Sequence, residues 1–190
     1  MRLAGCPLEC RWCDTAYARD AASGTEMTVE EVVATVLGFG LPSVLVTGGE
    51  PLAQEGAGRL LSALADAGMD VMLETSGALD IRTVDPRVRR IVDIKCPSSG
   101  MTDRNLDSNL RELRSSDEVK FVIADWADYE WAREVVHREA LEHRCTVLFS
   151  PVAGRMDATA LAERMIADRL PVRLQIQLHR VLWPDRDRGV

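Results

Sequence analysis

The feature that most constrains the fold is a repeated alternation of two kinds of segment. A short run rich in Val, Ile and Leu ends in small or polar residues, and an Ala-, Leu-, Glu- and Arg-rich segment follows. This pattern predicts strands over Ser43 to Thr47, Asp70 to Thr75, Arg90 to Lys95, Glu118 to Ile123, Thr146 to Ser150 and Val172 to Gln177, with Met1 to Gly5 ending a further strand. It predicts helices over Thr28 to Gly38, Gln54 to Ala67, Asn105 to Arg114, Tyr129 to His143 and Asp157 to Asp168. Runs this apolar suit strands covered on both faces. Strands alternating with helices make parallel βαβ units, hence an α/β fold. Local signals agree. Thr28 and Glu31 have capping-box spacing, Gly68 stands past a helix end, and Asp157 precedes a helix. The strand count suits an incomplete barrel or a doubly wound sheet. Either places functional groups at the C-terminal ends of strands.

Polar turns recur at those ends: Cys6 to Thr15, Thr47 to Pro51, Glu74 to Gly77, Lys95 to Gly100, and Ser150-Pro151. The first carries Cys6, Cys10 and Cys13 in a C-x3-C-x2-C spacing. Three thiolates can hold three irons of a four-iron cluster and leave the fourth iron open to a ligand. A structural zinc is the alternative, and it needs a fourth ligand from a group such as Cys96, Cys145 or His179. The third option is three plain buried thiols. Gly48-Gly49-Glu50-Pro51 is either a tight βα turn or a place where backbone closely approaches a ligand; Glu50 either touches that ligand or, the favoured reading, braces the turn. Asp14-Thr15 is either a local side-chain turn or a hydroxyl ligand to a hard cation such as Mg2+. His137 and His143 fall on a solvated helix face; His179 either faces the site or ends the last strand. Trp126, Tyr129 and Trp131 read as packing residues.

At 190 residues the chain is long enough for one domain with a substantial core. A net charge of -7 argues against a general nucleic-acid binder. No apolar run approaches the ~20 residues of a membrane helix, and no secretory signal is visible. An odd count of 5 cysteines, three of them crowded at one end, is a poor disulfide framework and points to a reducing cytoplasm. Lys95 and Lys120 are the only lysines, both near strand ends.

The cysteine loop and Thr47 to Pro51 together resemble the radical S-adenosylmethionine (SAM) enzymes. Arg2 to Cys6, Cys10 to Thr15, Glu74 to Gly77, Asp93 to Gly100 and Leu174 through Val190 resemble the 7-carboxy-7-deazaguanine synthase family within them. The resemblance implies a partial TIM-type (β/α) barrel with parallel strands and three cofactors: a [4Fe-4S] cluster, SAM and Mg2+. It implies a lyase in queuosine and 7-deazapurine biosynthesis. One-electron cleavage of SAM would give a radical that starts ring contraction of 6-carboxytetrahydropterin, with loss of ammonia. The protein's part is to position groups and exclude water.

The resemblance also implies roles for single residues. Cys6, Cys10 and Cys13 would hold the cluster, and Thr15 would ligate magnesium. Trp12, Cys13, Asp14, Gly49, Ser76, Ser98 and Ser150 would border SAM. Arg2, Thr47 and Pro184 would meet the pterin, with Arg2 pairing to its carboxylate. A flavodoxin-type or other electron donor and a homodimer are expected, without direct nucleic-acid or membrane contact. Relatives carry residues before the Arg2 segment that start the first strand and hold the pterin. The expectation is therefore one core domain over residues 1–190, shortened at its N-terminus, with an incomplete substrate pocket. Two other readings are a glycyl-radical-activating enzyme of the same superfamily and a zinc-stabilised module without catalysis.

Overall fold

The computed structural model describes residues 1–186. Seven strands form one sheet: β1 (Arg2–Leu3), β2 (Ser43–Gly48), β3 (Asp70–Thr75), β4 (Arg89–Ile94), β5 (Glu118–Ile123), β6 (Thr146–Pro151) and β7 (Arg173–Leu174). They lie in sequence order from β1 to β7, and each neighbouring pair is parallel. A doubly wound sheet would reverse its order at a switch point. Here the order never reverses, so right-handed crossovers stack the helices on one face and curl the sheet. The result is the partial barrel, open between β1 and β7.

Alternation along each strand assigns the two faces. Val46 on β2, Leu73 on β3, Val92 on β4, Phe121 on β5 and Phe149 on β6 are fully buried beneath the helices. The residues between them, Thr47, Glu74, Asp93, Lys120 and Ser150, line a cavity inside the curl. The strands are thus covered by helices on one face and lined with polar groups on the other. Uniform apolar burial on both faces, suggested by their composition, does not hold.

The helices are α1 (Val29–Gly38), α2 (Ala57–Asp66), α3 (Ser108–Arg111), α4 (Trp126–Arg138), α5 (Ala158–Ala167) and α6 (Leu178–Leu182). Thr28 and Glu31 form the reciprocal capping box on α1, and Asp157 caps α5 by accepting from Ala160 N. Most bounds shift by a residue or a few, and three elements differ in ways with a clear local cause. The helix expected over Asn105 to Arg114 shrinks to four residues, because Asn105 and Asn109 turn their amides onto backbone instead. α4 starts at Trp126, since Asp125 caps it by accepting from Asp128 N. It stops at Arg138, before a left-handed Ala140 and a single turn at Leu141–His143. The last strand is two residues, not six; Gln175 to Gln177 leave the sheet and lead into α6.

Tyr129 and Trp131 pack as expected, whereas Trp126 stays exposed at the start of α4. Tyr129 is fully buried, edge-on to both Trp126 and Phe149, while Trp131 meets Phe121. No described helix is long and apolar enough to cross a membrane.

Candidate active site

The strands' C-terminal ends surround a cavity of about 790 Å³, within the usual range for small-molecule sites. Cys6, Cys10 and Cys13 line it on one loop, together with Trp12, Asp14 and Thr15. The loop is fixed from both sides. Gly5 N donates to Ala18 O at 2.8 Å, and Cys6 N to Arg19 O at 3.0 Å. Arg11 N donates to Ser99 O at 3.1 Å, tying the loop to the turn after β4. The Arg155 guanidinium lies 5.2 Å from the centre of the Trp12 ring, within cation–π range. Cys13 Sγ and Thr15 Oγ1 are 3.8 Å apart.

Burial holds the Cys6 and Cys10 thiols above their ordinary range, offset only in part by the Leu8 backbone hydrogen bond at Cys6 and by the Lys95 ammonium at both. Among the described residues, no three His, Cys, Asp or Glu side chains converge on one metal ion. Neither of the other two cysteines joins such a group among the described residues. Cys96 borders the cavity, but its side chain is 1% exposed and packs in the core cluster, and burial pushes its thiol well up. Cys145 precedes β6, at the opposite end of the sheet; its thiol donates to Leu141 O, and burial raises it to about 11. Three thiols along one loop suit a cluster whose irons are held singly, with one iron left for a ligand.

The Gly48-Gly49 turn has a tertiary reason. A Cβ at Gly48 would fall 2.1 Å from Leu3 O, and one at Gly49 would fall 2.3 Å from Gly5 O and 2.8 Å from Cys6 Cβ. Gly49 N donates to Leu3 O at 2.9 Å. The close approach is therefore to the chain's own β1 and cysteine loop. Glu50 is fully buried. Its carboxylate accepts from Leu52 N at 2.9 Å, Thr75 Oγ1 at 2.8 Å and Ser76 N at 2.6 Å. It braces the turns after β2 and β3 against each other.

Sequence periodicity did not connect the charges on the cavity floor. Lys120 forms ion pairs with Glu74 and with Asp93, the latter at 3.4 Å, and Lys95 meets Asp93 at 3.2 Å. Burial opposes the Lys120 charge, yet Asp93 and Glu74 hold its ammonium above the ordinary lysine range. Lys120 in turn holds Glu74 below the usual carboxylate range. Ser76 Oγ and Asp93 Oδ1 are buried without a hydrogen-bond partner among the described residues. Orphaned polar atoms facing a cavity mark places where a ligand supplies the missing bond.

A sequence profile described as the Radical SAM superfamily matches residues 2–99. A 7-carboxy-7-deazaguanine synthase of Chlorobaculum tepidum is 47% identical over 100% of this chain and 87% of its own length. One from Koribacter versatilis is 38% identical over 100% and 90%. The chain belongs to the 7-carboxy-7-deazaguanine synthase family. Among solved structures, QueE from Escherichia coli superposes with a TM-score of 0.67 at 24% identity, covering 93% of this chain and 83% of that one. SuiB from Streptococcus suis bound to S-adenosylmethionine gives 0.66 at 12%, covering 97% and 51%. At these identities the likeness is one of fold.

In this synthase-family chain the cavity gathers most of the residues singled out from sequence: Arg2, Cys6, Cys10, Trp12, Cys13, Asp14, Thr15, Thr47, Gly49, Ser76 and Ser150. Two stand apart. Ser98 points away from the cavity, its hydroxyl donating to Asp125 at 2.6 Å and its N–H to Asp128 at 2.9 Å. Pro184 is exposed beyond α6 and does not line the cavity. His179 does line it. Residues 187–190, the end of the resembling C-terminal segment, lie outside the described residues. Lys95, Lys120, Glu74 and Asp93 were missed as a unit. Their only signal was the presence of charges at inward positions of otherwise apolar strands.

Proposed function

We propose that the protein is a radical SAM lyase. It converts 6-carboxy-5,6,7,8-tetrahydropterin to 7-carboxy-7-deazaguanine with loss of ammonia, in queuosine and 7-deazapurine biosynthesis. The observation that carries this reading is the union of the three-cysteine loop and the Gly-Gly turn at one cavity, in a chain 47% identical to a named synthase.

Cys6, Cys10 and Cys13 fit a [4Fe-4S] cluster. When bound, the cluster supplies the electron that cleaves SAM. The chain's own residues then bind and orient. Gly49 N–H already serves Leu3 O, so the Gly49 carbonyl is the group to face the ammonium of SAM. Ser76 offers an unpaired hydroxyl, and Trp12, Asp14 and Ser150 border the same space. Arg2, whose guanidinium lies 3.4 Å from Gly48 O, reaches for the substrate carboxylate. Thr15 offers its hydroxyl to Mg2+, with water and substrate oxygens completing the shell. Gln177 on the C-terminal segment donates to Asp14 at 2.5 Å and closes the cavity's side. Ser98 and Pro184 take no part in this reading.

The five free thiols suit a reducing cytoplasm, where a flavodoxin-type or other donor would supply the electron. The exposed Leu178, Val181, Leu182 and Trp183 on and beside α6 support a homodimer through that edge.

The test is anaerobic reconstitution with iron and sulfide, then reduction in the presence of SAM, Mg2+ and the pterin. A brown protein with about four irons per chain and the deazaguanine acid by mass spectrometry are expected. Cys10→Ala is expected to lose the cluster and the product together. A colourless zinc protein, or a full cluster retained in Cys10→Ala, overturns the reading.

A further inference from the structure

The cavity floor contains a polar relay of which only Thr47 has a role above. Asp93 on β4 and Lys120 on β5 are direct register partners, both pointing inward. The Lys120 ammonium sits between Asp93 Oδ2 and Glu74 Oε1 on β3. The second Glu74 oxygen accepts from Thr47 Oγ1 on β2 at 3.3 Å. One line of contacts thus crosses four adjacent strands, from Lys120 through Glu74 to Thr47.

Its chemistry is informative. The Lys120 and Glu74 side chains are only 14% and 29% exposed. Burying ion pairs costs desolvation, and apolar side chains would fill a barrel interior more favourably. Two ammoniums, Lys95 and Lys120, balance two carboxylates, Glu74 and Asp93. The set therefore carries no net charge with which to trap an ion. What it fixes is direction. A threonine hydroxyl has one proton and two lone pairs. Because Thr47 gives its proton to Glu74, its lone pairs are turned to the cavity. Thr47 then meets a ligand as an acceptor, and the matching ligand group is an N–H. The aminopyrimidinone ring of a pterin is rich in such donors.

We propose that Lys120 is a positioning residue for substrate recognition: held against Glu74, it orients the Thr47 hydroxyl to accept an N–H from the bicyclic substrate. This rests on the synthase reading of the cavity. Thr47 touches the ligand; Lys120 acts through Glu74 and does not.

The experiment measures binding of 6-carboxytetrahydropterin and of SAM by anaerobic equilibrium dialysis, on reconstituted wild type, Lys120→Met, Thr47→Val and the double variant. Lys120→Met is expected to weaken pterin binding about tenfold, the scale of one lost hydrogen bond. SAM binding and iron content should stay within about twofold of wild type. Combined with Thr47→Val it should add nothing further, because residues acting as one unit are not additive. Unchanged pterin binding, full additivity with Thr47→Val, or a parallel loss of SAM binding each overturns the proposal. If Lys120→Met fails to fold, Lys120→Met with Glu74→Gln removes the uncompensated charge and is judged by the same criteria. A wild type that binds the pterin without converting it overturns the synthase reading alone, since the Lys120 comparison is decided by binding.

Discussion

Single side chains do three separable jobs around the cavity. The cysteines face it from one loop, the glycines let that loop pack on the β2 turn, and Glu50 holds the β2 and β3 turns together. The sequence left Glu50 open between touching a ligand and bracing the turn, and its three buried hydrogen bonds decide for the brace. The glycines were legible as special, but not their reason. Only the folded chain shows that a methyl group at position 49 would collide with Gly5. Removing the Glu50 carboxylate strands Leu52 N, Ser76 N and the Thr75 hydroxyl in a buried place. Unsatisfied buried groups cost about 1–3 kcal/mol each. Glu50→Ala is therefore expected to lose at least about 3 kcal/mol in urea unfolding, with iron uptake impaired. A loss below about 1 kcal/mol would show that the turns hold without it.

At the scale of elements, caps and punctuation were read well, whereas lengths were read well only where local and tertiary preferences agreed. β3 and β5 have the bounds expected from their apolar runs. α3 does not, because Asn105 and Asn109 bind backbone across the chain in preference to continuing a helix. The last strand is short because β7 is an edge with one neighbour, β6, and its continuation turns to wall the cavity instead. α5 offers a clean measurement. Its cap, Asp157, accepts from Ala160 N at 2.8 Å and is exposed. Asp157→Ala is expected to cost about 1 kcal/mol of stability without changing cluster content. A thermal midpoint equal to that of wild type would deny the cap its role.

At the scale of the whole molecule, the two ends of the sheet are built differently. The C-terminal ends hold the cavity and its balanced charges. Near the opposite end, Arg90, Arg114 and Asp117 form a clamp. Asp117 is fully buried; it accepts from Arg90 Nη2 at 2.5 Å and from Arg114 Nη2 at 3.1 Å. The two arginines also donate to the carbonyls of Ile81, Glu112, Pro86 and Val88. Burial pushes the Asp117 carboxyl up, but hydrogen bonds from Arg90 and Arg114 bring it below the ordinary aspartate value. A folded-state value below the unfolded one, about 3.9, gives stability that is complete above that pH. That stability is lost as acid titrates the folded carboxylate. Urea unfolding at successive pH values should show wild type weakening below about pH 4. Asp117→Asn should be less stable by about 3–5 kcal/mol near neutrality and should show a shallower acid decline. An unaltered acid limb would exclude Asp117 as its source.

By itself the sequence determined the βα alternation, the parallel sheet, and the placement of the cysteine loop and glycine turn at strand ends. These are local properties: periodicity, spacing and capping act over a few residues. Only the tertiary structure decided that Thr47, Glu74, Asp93 and Lys120 form one relay. Those residues lie on four separate strands, far apart in the chain, and meet because sequential parallel pairing brings β2 through β5 side by side. A charge at an inward strand position looks like an exception in the sequence. It becomes part of a site only when a neighbouring strand supplies its opposite.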